Sequence, residues 1–109
     1  MALAEGCYLL TRSFPKEEMF GLTSQIRRAA SSIPANIAQG HGRESTQSFI
    51  QHLRIAQGSL KELETHLLLS VRIGLLNEEK AGPAVEQCQS LGKMVRSLIR
   101  TLQQRGDGP

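Results

Sequence analysis

Residues 20–43, FGLTSQIRRAASSIPANIAQGHGR, form an amphipathic helix pattern with a proline inside its apolar stripe. Leu22, Ile26, Ala29, Ile33 and Ile37 recur at spacings of 4, 3, 4 and 4, which puts them on one helix face. Pro34 falls in that stripe, where it lacks an N–H and crowds the carbonyl of Ala30 one turn back. Asn36 and Gly40 share the face, and neither is a usual choice for a core. A helix tolerates all three only when neighbours clamp it, so the stretch predicts helix-on-helix packing.

Three further segments carry helical periodicity, and none alternates as a strand. Residues 2–12 put Leu3, Cys7 and Leu10 on one face. Ser13 and Pro15 mark a stop and restart, and Lys16, Glu17 and Glu18 lead into the second helix with acids that suit its dipole. Gly40-His41-Gly42 closes that helix. Ser45 or Thr46 caps a third, in which Phe49, Leu53, Ala56, Leu60, Leu63, Leu67 and Gly74 follow a heptad pattern to about Ile73. Gly74 ends it, Asn77 with Glu78 and Glu79 opens a fourth, and Gly82-Pro83 is expected to kink or restart that helix. Beyond it Val85, Cys88, Leu91, Val95, Leu98 and Leu102 are expected to pack inward.

Short connections force antiparallel neighbours, so the predicted fold is all-α, an up-down-up-down four-helix bundle with a shortened first helix. Residues 1–105 make one domain and 106–109 a disordered tail. The short first helix leaves two expectations: a bundle open at one end, or a chain lacking part of its natural N-terminus.

Composition narrows the function classes. There is no Trp, one Tyr and three Phe in 109 residues, so the core is aliphatic and no stacking platform for bases exists. The net charge of +3 permits an anionic partner without demanding one. Cys7 and Cys88 fall on apolar stripes and read as buried free thiols of a cytoplasmic protein. No apolar run approaches the ~20 residues of a membrane span. No phosphate loop, zinc pattern, di-iron motif or catalytic triad appears, so no cofactor, metal or small-molecule substrate is expected. His52 and His66 are 14 residues apart, roughly 21 Å along a helix, too far for one ion.

The basic residues carry the functional interest. Arg27 and Arg28 flank the apolar face of the second helix and read either as a phosphate grip or as ordinary ion-pair partners. On the third, Arg54, Lys61 and Arg72 lie within about 20° of one another. On the fourth, Lys93, Arg96 and Arg100 share a stripe, with no acid from Lys93 to Arg105. Such stripes suit phosphate contact, and equally a solvated helix face. Asn36 is expected to bond freed backbone or the third helix, fixing register, and Glu64 to pair with Arg43. Ile50, Ile55, Leu68 and Leu69 lie off the core stripe of the third helix, which points to an oligomer interface.

The blocks at 11–15 (TRSFP), 18–21, 24–30 (SQIRRAA), 32–40 (SIPANIAQG), 42–43 and 55–64 (IAQGSLKELE) resemble the bacterial four helix bundle protein family. These are also called 23S rRNA intervening-sequence proteins, and accessory proteins of diversity-generating retroelements are similar. The resemblance runs in order over residues 8–103 and departs at Gln39, where the family usually has Glu. Members usually begin further upstream, and Met1 resembles an internal Met of their first helix, so a late start codon or a truncated copy is an expectation. The resemblance implies a helical bundle assembled as a homopentamer, without supplying a reaction. It also implies possible nucleic-acid partners, since relatives are encoded in rRNA genes or bind a reverse transcriptase and nucleic acid. Two functions follow: a non-enzymatic homo-oligomeric adaptor or scaffold, and a nucleic-acid-binding accessory that contacts RNA or DNA backbone.

Overall fold

The computed structural model describes residues 2–43 and 45–106. Four helices follow one another: α1 (Ala2–Thr11), α2 (Leu22–His41), α3 (Thr46–Arg72) and α4 (Glu78–Gly106). They pack as antiparallel neighbours in an all-α bundle. α3 lies between α2 and α4, while α1 rests against α2 and α4. The molecule measures 54 × 22 × 18 Å, whereas the ten residues of α1 span only about 15 Å. One end of the bundle is therefore three helices thick.

The lead-in to α2 differs from expectation. Lys16–Glu18 form a separate 3-10 turn, and α2 starts at Leu22 after the non-helical Gly21. Glu18 still serves the start of the helix, because its Oε1 accepts from the Leu22 N–H at 3.3 Å. α2 then runs unbroken through Pro34, with Ile26, Ala29, Ala30 and Ile33 buried. Gly40 explains its place on the core face by a close approach to α3. A Cβ there would stand 2.8 Å from His52 Cβ and 2.9 Å from Phe49 Cδ1.

Ser45 caps α3 by accepting from the Ser48 N–H at 3.2 Å. Gly74 ends it with φ +86°, so that the Leu75 N–H reaches the Ser70 carbonyl at 2.9 Å in a Schellman turn. That geometry leaves Gly74 exposed, and Ser70 takes the last buried place on the stripe, its hydroxyl bonded to the His66 carbonyl at 2.8 Å. Asn77 Oδ1 accepts from the Lys80 N–H at 2.8 Å and starts α4.

α4 neither breaks nor restarts at Gly82-Pro83. Pro83 and Glu79 both face solvent, so water can satisfy the carbonyl that the proline leaves free. A second correction concerns Leu98, which is 38 % exposed while Ile99 is buried. Ile99 follows Ala81 by 18 residues, or five full turns at 3.6 residues each, and so shares its direction. Gly106 is the last residue of α4 rather than the first of a tail, and 107–109 lie outside the described residues. One cluster of buried, mainly aliphatic side chains draws on all four helices, with Phe14 joining it from the α1–α2 connection.

Candidate nucleic-acid interface

Antiparallel packing of α3 on α4 brings two of the predicted basic stripes to one groove. The register is marked by Gln89 Nε2, which donates to Glu64 Oε2 at 3.0 Å. Around that contact a groove of about 580 Å3 opens, with Arg54 and Lys61 on the α3 wall and Lys93 and Arg96 on the α4 wall. Among the described residues Glu64 is the one carboxylate in its lining, set against four cations. Lys61 Nζ lies 3.8 Å from Glu64 Oε1 but remains highly exposed, so this pair holds it weakly. Among the described residues Arg54, Lys93 and Arg96 form no ion pair.

The remaining predicted cations fall elsewhere. Arg72 is 18 residues beyond Arg54, about 27 Å along α3. Arg100 lies past the groove toward the end of α4, and Arg28 is exposed on α2. Arg27 is held by α1: its Nε donates to Thr11 Oγ1 at 2.9 Å and its guanidinium lies 4.9 Å from the Tyr8 ring centroid. It ties the short helix to the bundle.

The polar residues predicted as structural divide. Asn36 bonds across to α3 through Oδ1 and His52 Nδ1 at 3.1 Å, while its Nδ2 donates to the Ser32 carbonyl and hydroxyl at 2.9 and 3.0 Å. Ser32 in turn meets Ser59 at 2.9 Å, so a ladder of four side chains joins α2 to α3. The carbonyl it uses belongs to Ser32, not to Ala30, which Pro34 frees. Glu64 does not pair with Arg43: it sits 18 residues into α3, about 27 Å from the helix start next to which Arg43 lies.

Ile50 is not an interface residue. It is 6 % exposed, because its direction on α3 is toward α4, where it lines a cleft with Leu102. Ile55, Leu68 and Leu69 are close to half-exposed, and Ile73 joins them at 53 %. His41 packs edge-on to Phe49, and His66 lies 3.6 Å from Glu62, with its buried Nδ1 unpartnered. Among the described residues no three His, Cys, Asp or Glu side chains converge as a metal site, and no helix is long and apolar enough to cross a membrane. Cys7 and Cys88 are buried free thiols. Burial pushes Cys7 up to about 11; burial, then Cys7 and Glu64, pushes Cys88 up to about 12, so neither is a ready nucleophile.

Four groove residues were not singled out by sequence: Gln57, Gly58, Gln89 and Gly92. They flank the heptad stripes of α3 and α4, at the places where two packed helices splay apart. Heptad phase points to those places, but only the helix pairing shows which of them face each other.

The fold and groove define a small helical-bundle protein with a cationic cleft. The sequence model of the 23S rRNA-intervening sequence protein family matches residues 1–97, and the chain belongs to that family. A solved structure from Bacteroides thetaiotaomicron, described as a protein with unknown function from the S23 ribosomal protein family, is similar in fold. Its TM-score is 0.76 at 23% identity, over 89% of this chain and 97% of that one. No curated protein matches.

Proposed function

We propose that this protein is a non-enzymatic helical scaffold that binds nucleic acid by its phosphate backbone through the α3–α4 groove. The observation that carries this reading is the convergence of Arg54, Lys61, Lys93 and Arg96 from two helices on one cleft. Phosphate contacts of this kind supply affinity without sequence information. The family's description links it to sequences within rRNA genes, which favours RNA over DNA as the first ligand to test. Buried free thiols suit a reducing compartment, and the cytoplasm is the proposed location.

The test is fluorescence anisotropy with labelled single-stranded RNA at low and moderate salt. Binding should weaken as salt rises, and Lys93→Glu with Arg96→Glu should abolish most of it. Neutralising each cation lowers the single-strand salt slope by about 0.7. Salt-independent binding, or reversal without effect, would sink the reading.

A second reading concerns assembly. Ile55, Leu68, Leu69 and Ile73 leave apolar surface on α3 outside the bundle core, which favours burial against further copies of the chain, a pentamer by family resemblance. Leu69→Asp should then reduce the mass measured by light scattering. A wild-type monomer at micromolar concentration rules out this reading. A reverse transcriptase remains a partner proposal on the resemblance alone.

A further inference from the structure

The α3–α4 groove has Leu60 and Cys88 buried at its base and bare main chain beside them at two glycines. Gly92 is half-buried on the side of α4 that faces α3, and Gly58 stands on the opposite wall. Neither needs to be glycine for backbone reasons, because the only positive φ belongs to Gly74 among the described residues. Neither needs to be glycine for packing, because a Cβ at either position would meet nothing within 4 Å. Gly40 is the contrast, with α3 pressed against it. Glycine inside a helix is destabilising relative to alanine. What Gly58 and Gly92 do instead is leave the backbone bare between four cations.

We propose that the groove seats the sugar–phosphate chain of a single nucleic-acid strand, which touches the α4 main chain at Gly92. This rests on the nucleic-acid reading above and specifies the form of ligand and one main-chain contact. Packed helices lie roughly 8–10 Å apart, so a cleft between two of them admits one strand, while a duplex rests on the ridges. Arg54 and Lys61 face phosphates from one wall, Lys93 and Arg96 from the other, and Gln57 adds a neutral donor. Among the described residues no aromatic side chain lines the cleft, so the bases turn outward and are not read.

The test pairs Gly92→Ala with Gly6→Ala, a helical glycine on α1 that also has open space around it. Ala for Gly in a helix interior should raise Tm by about 4–8 °C in both. Only Gly92→Ala should weaken binding of labelled oligouridylate and oligoadenylate, by about fivefold for each, since the methyl group holds the strand off the backbone. Unchanged affinity in Gly92→Ala overturns the proposal. So does a duplex RNA that binds more tightly than the single strand, or a Gly92→Ala variant that changes only oligomer mass, which assigns the cleft to a second copy. The Lys93→Glu, Arg96→Glu variant separates the two failures: if it abolishes binding while Gly92→Ala does not, the strand seating fails and the nucleic-acid reading stands.

Discussion

A methyl group at position 40 would have to displace His52 Cβ and the Phe49 ring, and neither is the free end of a flexible chain. Overpacking of this kind costs about 1–3 kcal/mol, and the better helix propensity of alanine returns roughly 1 kcal/mol of it. Gly40→Ala should therefore lower the urea midpoint while leaving the slope m unchanged. A midpoint at or above wild type would show that α3 yields. At this scale the sequence was informative about residue type and silent about partners. Asn36 and Gly40 stand out as polar and small on an apolar face, which already marks them as specified positions. That Asn36 meets His52, and that Gly40 meets Phe49, depends on where α3 crosses α2, and no local pattern encodes that crossing.

The helix ends follow local chemistry, and so the elements were the most legible level. Ser45, Gly74 and Asn77 act where their side chains or conformational freedom predict, because a cap or a left-handed turn involves only a few neighbouring residues. Asn77→Ala removes the acceptor of the Lys80 N–H and should cost about 1 kcal/mol, read as a lower Tm. Asn77→Asp, which keeps an acceptor and suits the dipole, should restore it. Equal loss in both variants would assign the effect to something other than the cap. Phase over many turns is less legible. A strict heptad advances by 3.5 residues per turn against 3.6 for a straight helix, and the drift moves the buried place from Leu98 to Ile99 near the end of α4. The pairing of α3 with α4 sets how far the cleft extends along both helices, and so decides that Arg54 and Lys61 reach it while Arg72 and Arg100 lie beyond it.

For the whole molecule, the unequal lengths of the helices concentrate weakness at α1. Ten residues held on two neighbours expose more of their contacts to opening than the long α2–α3–α4 layer does. The Arg27 contacts to Thr11 and Tyr8 and the burial of Cys7 are the features that fasten it. The thiols report on this directly. Burial pushes their folded pKa values up to about 11 and 12, above the ordinary thiol value of 9.0, so the folded state holds both protons longer than the unfolded chain does. That contribution is intact below pH 9.0 and is lost as pH rises toward about 11 and 12, which predicts alkaline destabilisation over that window. Replacing both cysteines with alanine should flatten the fall. Below it, at neutral pH, a thiol reagent should label the native protein only as fast as α1 lifts. Arg27→Ala removes one hydrogen bond and one cation–π contact, together about 1–2 kcal/mol, and should speed labelling of Cys7 about 5–30-fold. Because the opened form and the unfolded chain both lack these contacts, stability in urea should fall by the same amount, about 1–2 kcal/mol. The labelling rate of either protein should depend on urea far less than global unfolding does. Equal urea dependence of labelling and global unfolding would mean that α1 is not an independently opening element and that the bundle unfolds as one unit.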